Sequence, residues 1–146
     1  MSQSRLLLSD IPRGSRLLID TAPIVYALEG HPFATPFMPI FTGIQEGAYV
    51  AVVTPITMAE VLVGPLRHGK KKLAERYRRA LSTKPGWEWC DFDDTLCAHA
   101  AELRATTKLK LPDALQAAAT TYSGSFALIT HNRDFSLLKE LRIYRG

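Results

Sequence analysis

Acidic and amide residues of this 146-residue chain fall where buried strands are expected to end or helices to begin. Asp20 ends the apolar run of residues 16–20, and Glu60 lies one to two turns into the helix after the second strand. Asp113 opens the helix before the fourth strand, and Asn132 and Asp134 lie just beyond that strand. Ligands of open parallel sheets bind at the carboxyl ends of the strands. We therefore expect these side chains to converge, although they are up to 114 positions apart.

Three carboxylates in one pocket, those of Asp20, Glu60 and Asp113, would repel one another. At a separation of about 5 Å and an effective dielectric near 20, each pair costs about 3 kcal/mol, so one or two would stay protonated without a cation. Oxygen ligands without Cys or His select a hard ion, Mg²⁺ or Mn²⁺, over zinc. Such an ion takes its other ligands from water and substrate phosphates. This chemistry predicts metal-dependent hydrolysis of a phosphodiester bond.

Each acid also has an explanation that needs no site. Asp20 could cap the helix that begins near residue 22, and Glu60 could complete a capping box with Thr57. Asp113 could be an ordinary first-turn acid, which stabilises a helix by ~0.3–1 kcal/mol. One of the two polar residues after the fourth strand could cap the next helix. The joint placement of these residues, rather than any one of them, supports a site.

The positive charge of the chain is concentrated in one segment. Residues 67–79 hold seven Lys or Arg against Glu75, a local net charge of +6, whereas the whole chain carries only +4. Such a segment suits a nucleic-acid partner, although charge runs on helices are often only solvated faces. We expect Arg67, Lys70 and Lys71 to position the phosphates of a nucleic-acid substrate.

The order of expected elements explains how distant residues can meet. Strands are expected at 16–20, 49–54, 86–92 and 125–130, with an edge strand at 142–145. Helices are expected at 23–30, 36–47, 55–64, 66–82, 93–109, 111–124 and 134–141, and Pro55 and Gly64 mark the start and end of the third. The strand YVAVVT has no polar alternation, which is typical of strands covered on both faces. The predicted fold class is α/β, a three-layer α/β/α sandwich with a central, mostly parallel sheet.

Length and composition narrow the class of protein. A chain that is 47% hydrophobic and 22% charged suits one globular domain, here residues 16–146, and residues 1–15 are expected to form a flexible N-terminal extension. No apolar stretch approaches the roughly 18–20 residues of a membrane helix, and the apolar run near the start is too short for a secretory signal. We therefore expect a cytoplasmic protein without membrane contact.

Four segments resemble the PIN-domain ribonucleases, especially the VapC-type toxins of bacterial toxin–antitoxin pairs: LLIDTAPIVYALEG, TPITMAEVLVG, KLPDALQAAAT and LITHNRDF. The resemblance covers roughly residues 16–145 and implies a Mg²⁺-dependent endoribonuclease. It implies that Asp20, Glu60 and Asp113 are catalytic, metal-binding acids. It also implies a homodimer and a small antitoxin protein that covers the acidic pocket.

The segment after the fourth strand departs from the family pattern. Thr130 matches the strand-end hydroxyl residue, but many members have a fourth acid two residues later, where this chain has Asn132. Asp134 precedes Phe135 as in the Asp-Phe pair of the family, so it is the candidate for the fourth catalytic and metal-binding residue, directly or through water. Thr21, Thr130 and Asn132 are expected to position substrate or water. The pattern allows a site with one metal ion or with two.

Two other function classes compete with this interpretation. A phosphorelay receiver or an aspartyl-phosphate phosphatase also has an Asp after the first strand. The phosphatase pattern needs a second Asp where this chain has Ala22, and the paired acids and late Lys of a receiver are not evident. The stronger alternative is a non-catalytic PIN-fold module that binds nucleic acid or protein, because Asn132 is neutral. A metal-dependent rise in melting temperature would favour the enzyme.

Overall fold

A computed structural model describes residues 5–146. Its centre is a five-stranded parallel sheet in the order β3–β2–β1–β4–β5. The strands are β1 Ser15–Ile19, β2 Tyr49–Val53, β3 Trp87–Trp89, β4 Ala127–Ile129 and β5 Ile143–Tyr144. The helices are α1 Thr21–Glu29, α2 Met38–Gln45, α3 Pro55–Arg67, α4 Lys71–Thr83, α5 Asp94–Thr106 and α6 Leu111–Tyr122. Short 3-10 helices cover Leu8–Asp10, Pro32–Phe37 and Arg133–Leu137.

Helices cover both faces of the sheet. Successive strand residues point to opposite sides, and in the apolar run of β1 both sides carry apolar side chains that need to be buried. Leu17 and Ile19 of β1 pack in one core with residues of α1–α4. Leu18 packs in a second core with residues of α5 and α6. All three side chains are fully buried, as expected for the apolar run. The predicted three-layer α/β/α sandwich is confirmed.

The strand order changes direction beside β1. The chain moves from β1 outward through β2 to β3, and then returns to place β4 on the other side of β1. The backbone N–H of Asp20 donates to the carbonyl of Ile129 at 2.9 Å, so the ends of β1 and β4 are held together. This switch of direction is where open α/β sheets form their binding crevice.

The basic segment is divided between two helices, which corrects two predicted boundaries. Gly64 does not end α3, which continues to Arg67, and the single helix expected over 66–82 begins instead at Lys71. Gly69 separates the two helices with a φ of +70°, a backbone conformation that glycine adopts without steric cost. The prediction was wrong because the helix stop lies at Gly69 rather than at Gly64.

Two other expected α-helices are partly or wholly 3-10 helix. The helix expected over 36–47 begins only at Met38, after a 3-10 helix at Pro32–Phe37. The helix expected over 134–141 is a 3-10 helix at Arg133–Leu137. Leu138, directly after this helix, has an extended backbone, so the chain does not continue as a helix to residue 141.

The N-terminal segment packs on the domain from the first described residues onward. Residues 1–4 of the expected extension lie outside the described residues. Ile11 is only 5% exposed and belongs to the same core as Leu17, and Ser15 is already part of β1. The flexibility of the extension as a whole stays a prediction. Across residues 5–146, no helix has the length and apolar character needed to cross a bilayer.

Candidate active site

Asp20 occupies the N-cap position of α1, but its side chain does not cap the helix. Its carboxylate accepts hydrogen bonds from two other elements. Thr130 Oγ1 donates to Oδ2 at 2.8 Å, and Gln116 Nε2 donates to Oδ1 at 3.2 Å. The capping explanation is therefore wrong for Asp20, whose carboxylate is fixed between β4 and α6.

Glu60 does not form the capping box that its spacing from Thr57 allows. The N-cap of α3 is Thr54, whose Oγ1 accepts from the backbone N–H of Thr57 at 3.3 Å. Glu60 Oε1 instead accepts a 2.7 Å hydrogen bond from Thr21 Oγ1, in the first turn of α1. This bond directs an exposed carboxylate of α3 toward the end of β1.

Asp113 lies in the first turn of α6 and is half-buried. Its pKa is raised above the ordinary value, chiefly because burial removes hydration and further because of the charges of Asp20, Asp134 and Glu60. A 3.3 Å hydrogen bond from Asn132 Nδ2 to Asp113 Oδ2 acts in the opposite direction. The first-turn explanation holds for Asp113, but three other carboxylates also act on it.

Asn132 and Asp134 have different roles after β4. Asn132 caps the 3-10 helix, since its Oδ1 accepts from the backbone N–H of Asp134 at 2.9 Å. Its own backbone N–H donates to Thr130 Oγ1 at 3.0 Å. In the part of the chain that the structure describes, the carboxylate of Asp134 makes no hydrogen bond or ion pair. Asp134 is therefore the acid left available beside Asp113.

Gln116 is a site residue that the sequence analysis missed. It is 1% exposed, and besides Asp20 it bonds Thr54 Oγ1 through its Oε1 and Thr57 Oγ1 through its Nε2, the latter at 2.8 Å. These bonds satisfy every polar atom of a buried amide while orienting a carboxylate. The available signal was its position three residues after Asp113, on a helix whose other buried residues include alanines 114 and 117–119.

The predicted site residues fall into two groups. The structure brings together Asp20, Thr21, Glu60, Asp113, Thr130, Asn132 and Asp134. It leaves Arg67, Lys70 and Lys71 exposed at the turn between α3 and α4, and Arg67 is about 10 Å along the helix axis from Glu60. Among the described residues, no Lys, Arg or His forms an ion pair with any of the four acids. The negative charge of the site is therefore not neutralised by the protein.

The donor atoms of the site are oxygens of carboxylates, hydroxyls and amides, which suit hard cations such as Mg²⁺ and Mn²⁺. Within residues 5–146, no group of three or more His, Cys, Asp or Glu is placed so that it could by itself hold a metal ion. Mg²⁺ is usually held by one or two carboxylates together with water and substrate phosphates. The donor chemistry of the residues fits a cation of this kind, and Asp20, held by Thr130 and Gln116, and the half-buried Asp113 are the carboxylates that would hold it.

Asp113→Asn is expected to raise the melting temperature in EDTA at pH 7, because burial and the neighbouring carboxylates disfavour the charged form of Asp113. Because the folded state holds the proton of Asp113 more tightly than the unfolded state, the contribution of Asp113 to the stability of the wild type falls as pH rises above about 3.9, the unfolded pKa. The advantage of the variant should therefore vanish near pH 3. Thermal melts at both pH values test this, and a variant less stable at pH 7 would contradict it.

Comparison with known proteins identifies the family. Residues 17–141 match the family model of the PIN domain. A toxin–antitoxin complex from Klebsiella pneumoniae is 26% identical, with a TM-score of 0.65, and the match covers 84% of this chain and 92% of that chain. No curated protein matches the chain significantly.

Two further structures share the fold. VapBC2 from Rickettsia felis, bound to a DNA fragment from their promoter, is 20% identical with a TM-score of 0.68, covering 88% of this chain and 96% of that chain. VapC20 from Mycobacterium tuberculosis, described as a Sarcin-Ricin loop cleaving toxin, is 14% identical with a TM-score of 0.66, covering 83% and 93%. The resemblance expected from the sequence is confirmed, and the chain belongs to the PIN domain family.

Proposed function

We propose that this protein is a Mg²⁺-dependent endoribonuclease and the toxin of a VapBC-type toxin–antitoxin pair. The observation that carries the proposal is the group of four acids at the switch point of the sheet. Asp20, Glu60 and Asp134 all raise the pKa of Asp113, and among the described residues no basic side chain pairs with them. Like charges held together in this way favour the binding of a cation.

The residues around the acids support a catalytic role through their positions. Thr130 and Gln116 fix the carboxylate of Asp20 from two sides, so its orientation does not depend on a ligand. Asn132 links Asp113 to the end of β4. A bound Mg²⁺ or Mn²⁺ would activate water and stabilise negative charge on the leaving oxygen. The protein supplies fixed carboxylates to hold such an ion, and Glu60 and Asp134 are further acids at the rim of the acidic pocket.

RNA is the proposed substrate, on two grounds. The turn between α3 and α4 and the exposed side of α4 carry the whole positive excess of the chain, which favours contact with a phosphate backbone. VapC20 from Mycobacterium tuberculosis, which shares the fold, is described as cleaving the Sarcin-Ricin loop. Arg67, Lys70 and Lys71 are the proposed phosphate contacts, and the substrate would be cytoplasmic RNA.

An antitoxin protein is the proposed regulatory partner. The solved relatives from Klebsiella pneumoniae and Rickettsia felis are a toxin–antitoxin complex and VapBC2. In this chain, the surface that such a partner would cover is the acidic pocket. A partner bound there would block access to Asp20 and Asp113. The homodimer implied by the family resemblance is part of the same proposal.

The proposal is tested by incubating the purified protein with end-labelled single-stranded RNA. We expect defined cleavage products with Mg²⁺ or Mn²⁺ and none with EDTA, because the carboxylates alone neither activate water nor stabilise the leaving oxygen. A protein that cleaves equally well in EDTA would contradict metal dependence. A protein that does not cleave any RNA with either metal would contradict the proposed ribonuclease activity.

A non-catalytic module that binds nucleic acid or protein is the second candidate. Asn132, at the position of the fourth acid of many family members, is used as a helix cap. A chain that binds RNA without cleaving it, and whose stability does not depend on Mg²⁺ or Mn²⁺, would favour this candidate.

A further inference from the structure

A cluster of aromatic rings lies beside the acid site and takes no part in it. The ring of Phe33 lies 5.5 Å from that of His131, 4.8 Å from that of His31 and 5.7 Å from that of Tyr26, between centroids. The interplanar angles lie between 66° and 85°. These are edge-to-face contacts, the favourable arrangement for pairs of rings.

Hydrogen bonds fix the rings in place. Tyr26 Oη and His131 Nδ1 are 2.7 Å apart, and His31 Nδ1 accepts from the backbone N–H of Phe33 at 3.0 Å. Tyr26 and His31 are also stacked, with their centroids 5.1 Å apart. The position of Phe33 is therefore set in advance by both packing and hydrogen bonding.

The same two segments build the ring cluster and the acid site. His131 lies between Thr130 and Asn132, whose side chains bond Asp20 and Asp113 respectively. Tyr26 lies on α1, whose first residue, Thr21, bonds Glu60. The cluster is therefore continuous with the rim of the acidic pocket.

Phe33 remains 55% exposed despite its three ring contacts. His31 and His131 are exposed as well. A single exposed apolar ring is ordinary, but a ring held rigidly and left open beside a candidate nuclease site is suited to a planar ligand. The face that this ring leaves open, flanked by two imidazoles, is sufficient for one base.

We propose that Phe33, with His131 beside it, is a stacking platform for an unpaired base of the RNA, next to the phosphate that is cleaved. The inference rests on the proposed nuclease function and narrows its substrate class. Bases inside a duplex have both faces covered by their neighbours, whereas bases of single strands and loops can stack on aromatic side chains. The platform therefore selects single-stranded or looped RNA.

Binding experiments in EDTA test the platform without cleavage. The probes are a fluorescein-labelled decauridylate and a decamer of the same length and charge that carries no bases, both followed by anisotropy at low salt. The wild type is expected to bind the decauridylate at least about fivefold more tightly, the lower end of what stacking on an aromatic side chain contributes. Phe33→Ala should abolish this preference and leave the affinity for the baseless decamer unchanged.

Phe33→Leu is the matched control for packing, because it keeps an apolar side chain but has no flat ring. Its melting temperature should stay nearer to the wild type than that of Phe33→Ala, while it too loses the preference for bases. The proposed platform is refuted if the wild type shows no such preference, or if Phe33→Ala weakens the binding of both probes equally. A preference for bases that depends on Phe33, in a protein that does not cleave RNA with Mg²⁺ or Mn²⁺, would refute the proposed nuclease function but support the proposed base-binding site.

Discussion

Asp20→Asn is expected to lower the rate of RNA cleavage by at least about 100-fold. A factor of 100 corresponds to about 2.7 kcal/mol of the activation barrier, a modest share of the several kcal/mol that a bound metal ion contributes to charge stabilisation. Asparagine has the same shape as aspartate and can still accept one hydrogen bond, from Thr130 or from Gln116. Its side chain has no charge, however, so the pair of carboxylates proposed to hold the cation is broken.

Glu102→Gln is the matched control for Asp20→Asn. Glu102 is an exposed acid of α5, in the helical layer that covers the second core, so the substitution removes the same charge without altering the pocket. Cleavage by the control should equal that of the wild type, measured as single-turnover rates on one labelled RNA. Wild-type rates for folded Asp20→Asn would show that the site has been assigned to the wrong residues.

Mg²⁺ or Mn²⁺ is expected to raise the melting temperature of the wild type by about 5–10 °C at a concentration 100 times the dissociation constant. At that concentration a ligand of the native state stabilises it by about 2.7 kcal/mol, and a domain of this size gains about 2–4 °C for each kcal/mol. We expect the stabilisation because a bound cation would remove the repulsion among Asp20, Glu60, Asp113 and Asp134. Burial first, and this repulsion second, raise the pKa of Asp113 in the absence of a cation.

Asp113→Asn separates this effect from general effects of salt. The variant should start from a higher melting temperature in EDTA and gain less than half of the wild-type increase with either metal. KCl at matched ionic strength should shift both proteins alike. A wild-type melting curve that responds to Mn²⁺ no more than to KCl would contradict cation binding by these acids.

The central strands and the edge of the sheet that carries the site were predictable from sequence. The apolar runs that end at Asp20 and Thr130 are buried on both faces, and such runs belong to the interior of a parallel sheet. The chain direction in a parallel sheet then places the ends of β1 and β4 at one edge. Fold class and the convergence of the acids follow from these two facts.

The hydrogen bonds of the site were not predictable, because they depend on packing between elements distant in sequence. The bond from Gln116 to Asp20 spans 96 positions and requires the relative positions of α6 and β1, which no local pattern specifies. Sequence alone also left Asn132 and Asp134 as equal candidates for the helix cap. The observed bond from the backbone of Asp134 to Asn132 Oδ1 settles that choice.

The basic helix shows the limit of local helix signals. Gly64 and Gly69 are both plausible helix stops, and only the backbone shows that Gly69 takes the positive φ. The aromatic cluster was equally hidden, because Phe33 and His131 lie almost 100 positions apart and meet only through tertiary packing.

The most direct measurement is the anomalous scattering of Mn²⁺ in crystals of the wild-type protein. We expect a Mn²⁺ peak in contact with the carboxylate oxygens of Asp20 and Asp113, and no peak there in crystals of Asp113→Asn grown in the same solution. A saturating Mn²⁺ concentration that leaves both carboxylates without a peak would contradict cation binding by Asp20 and Asp113.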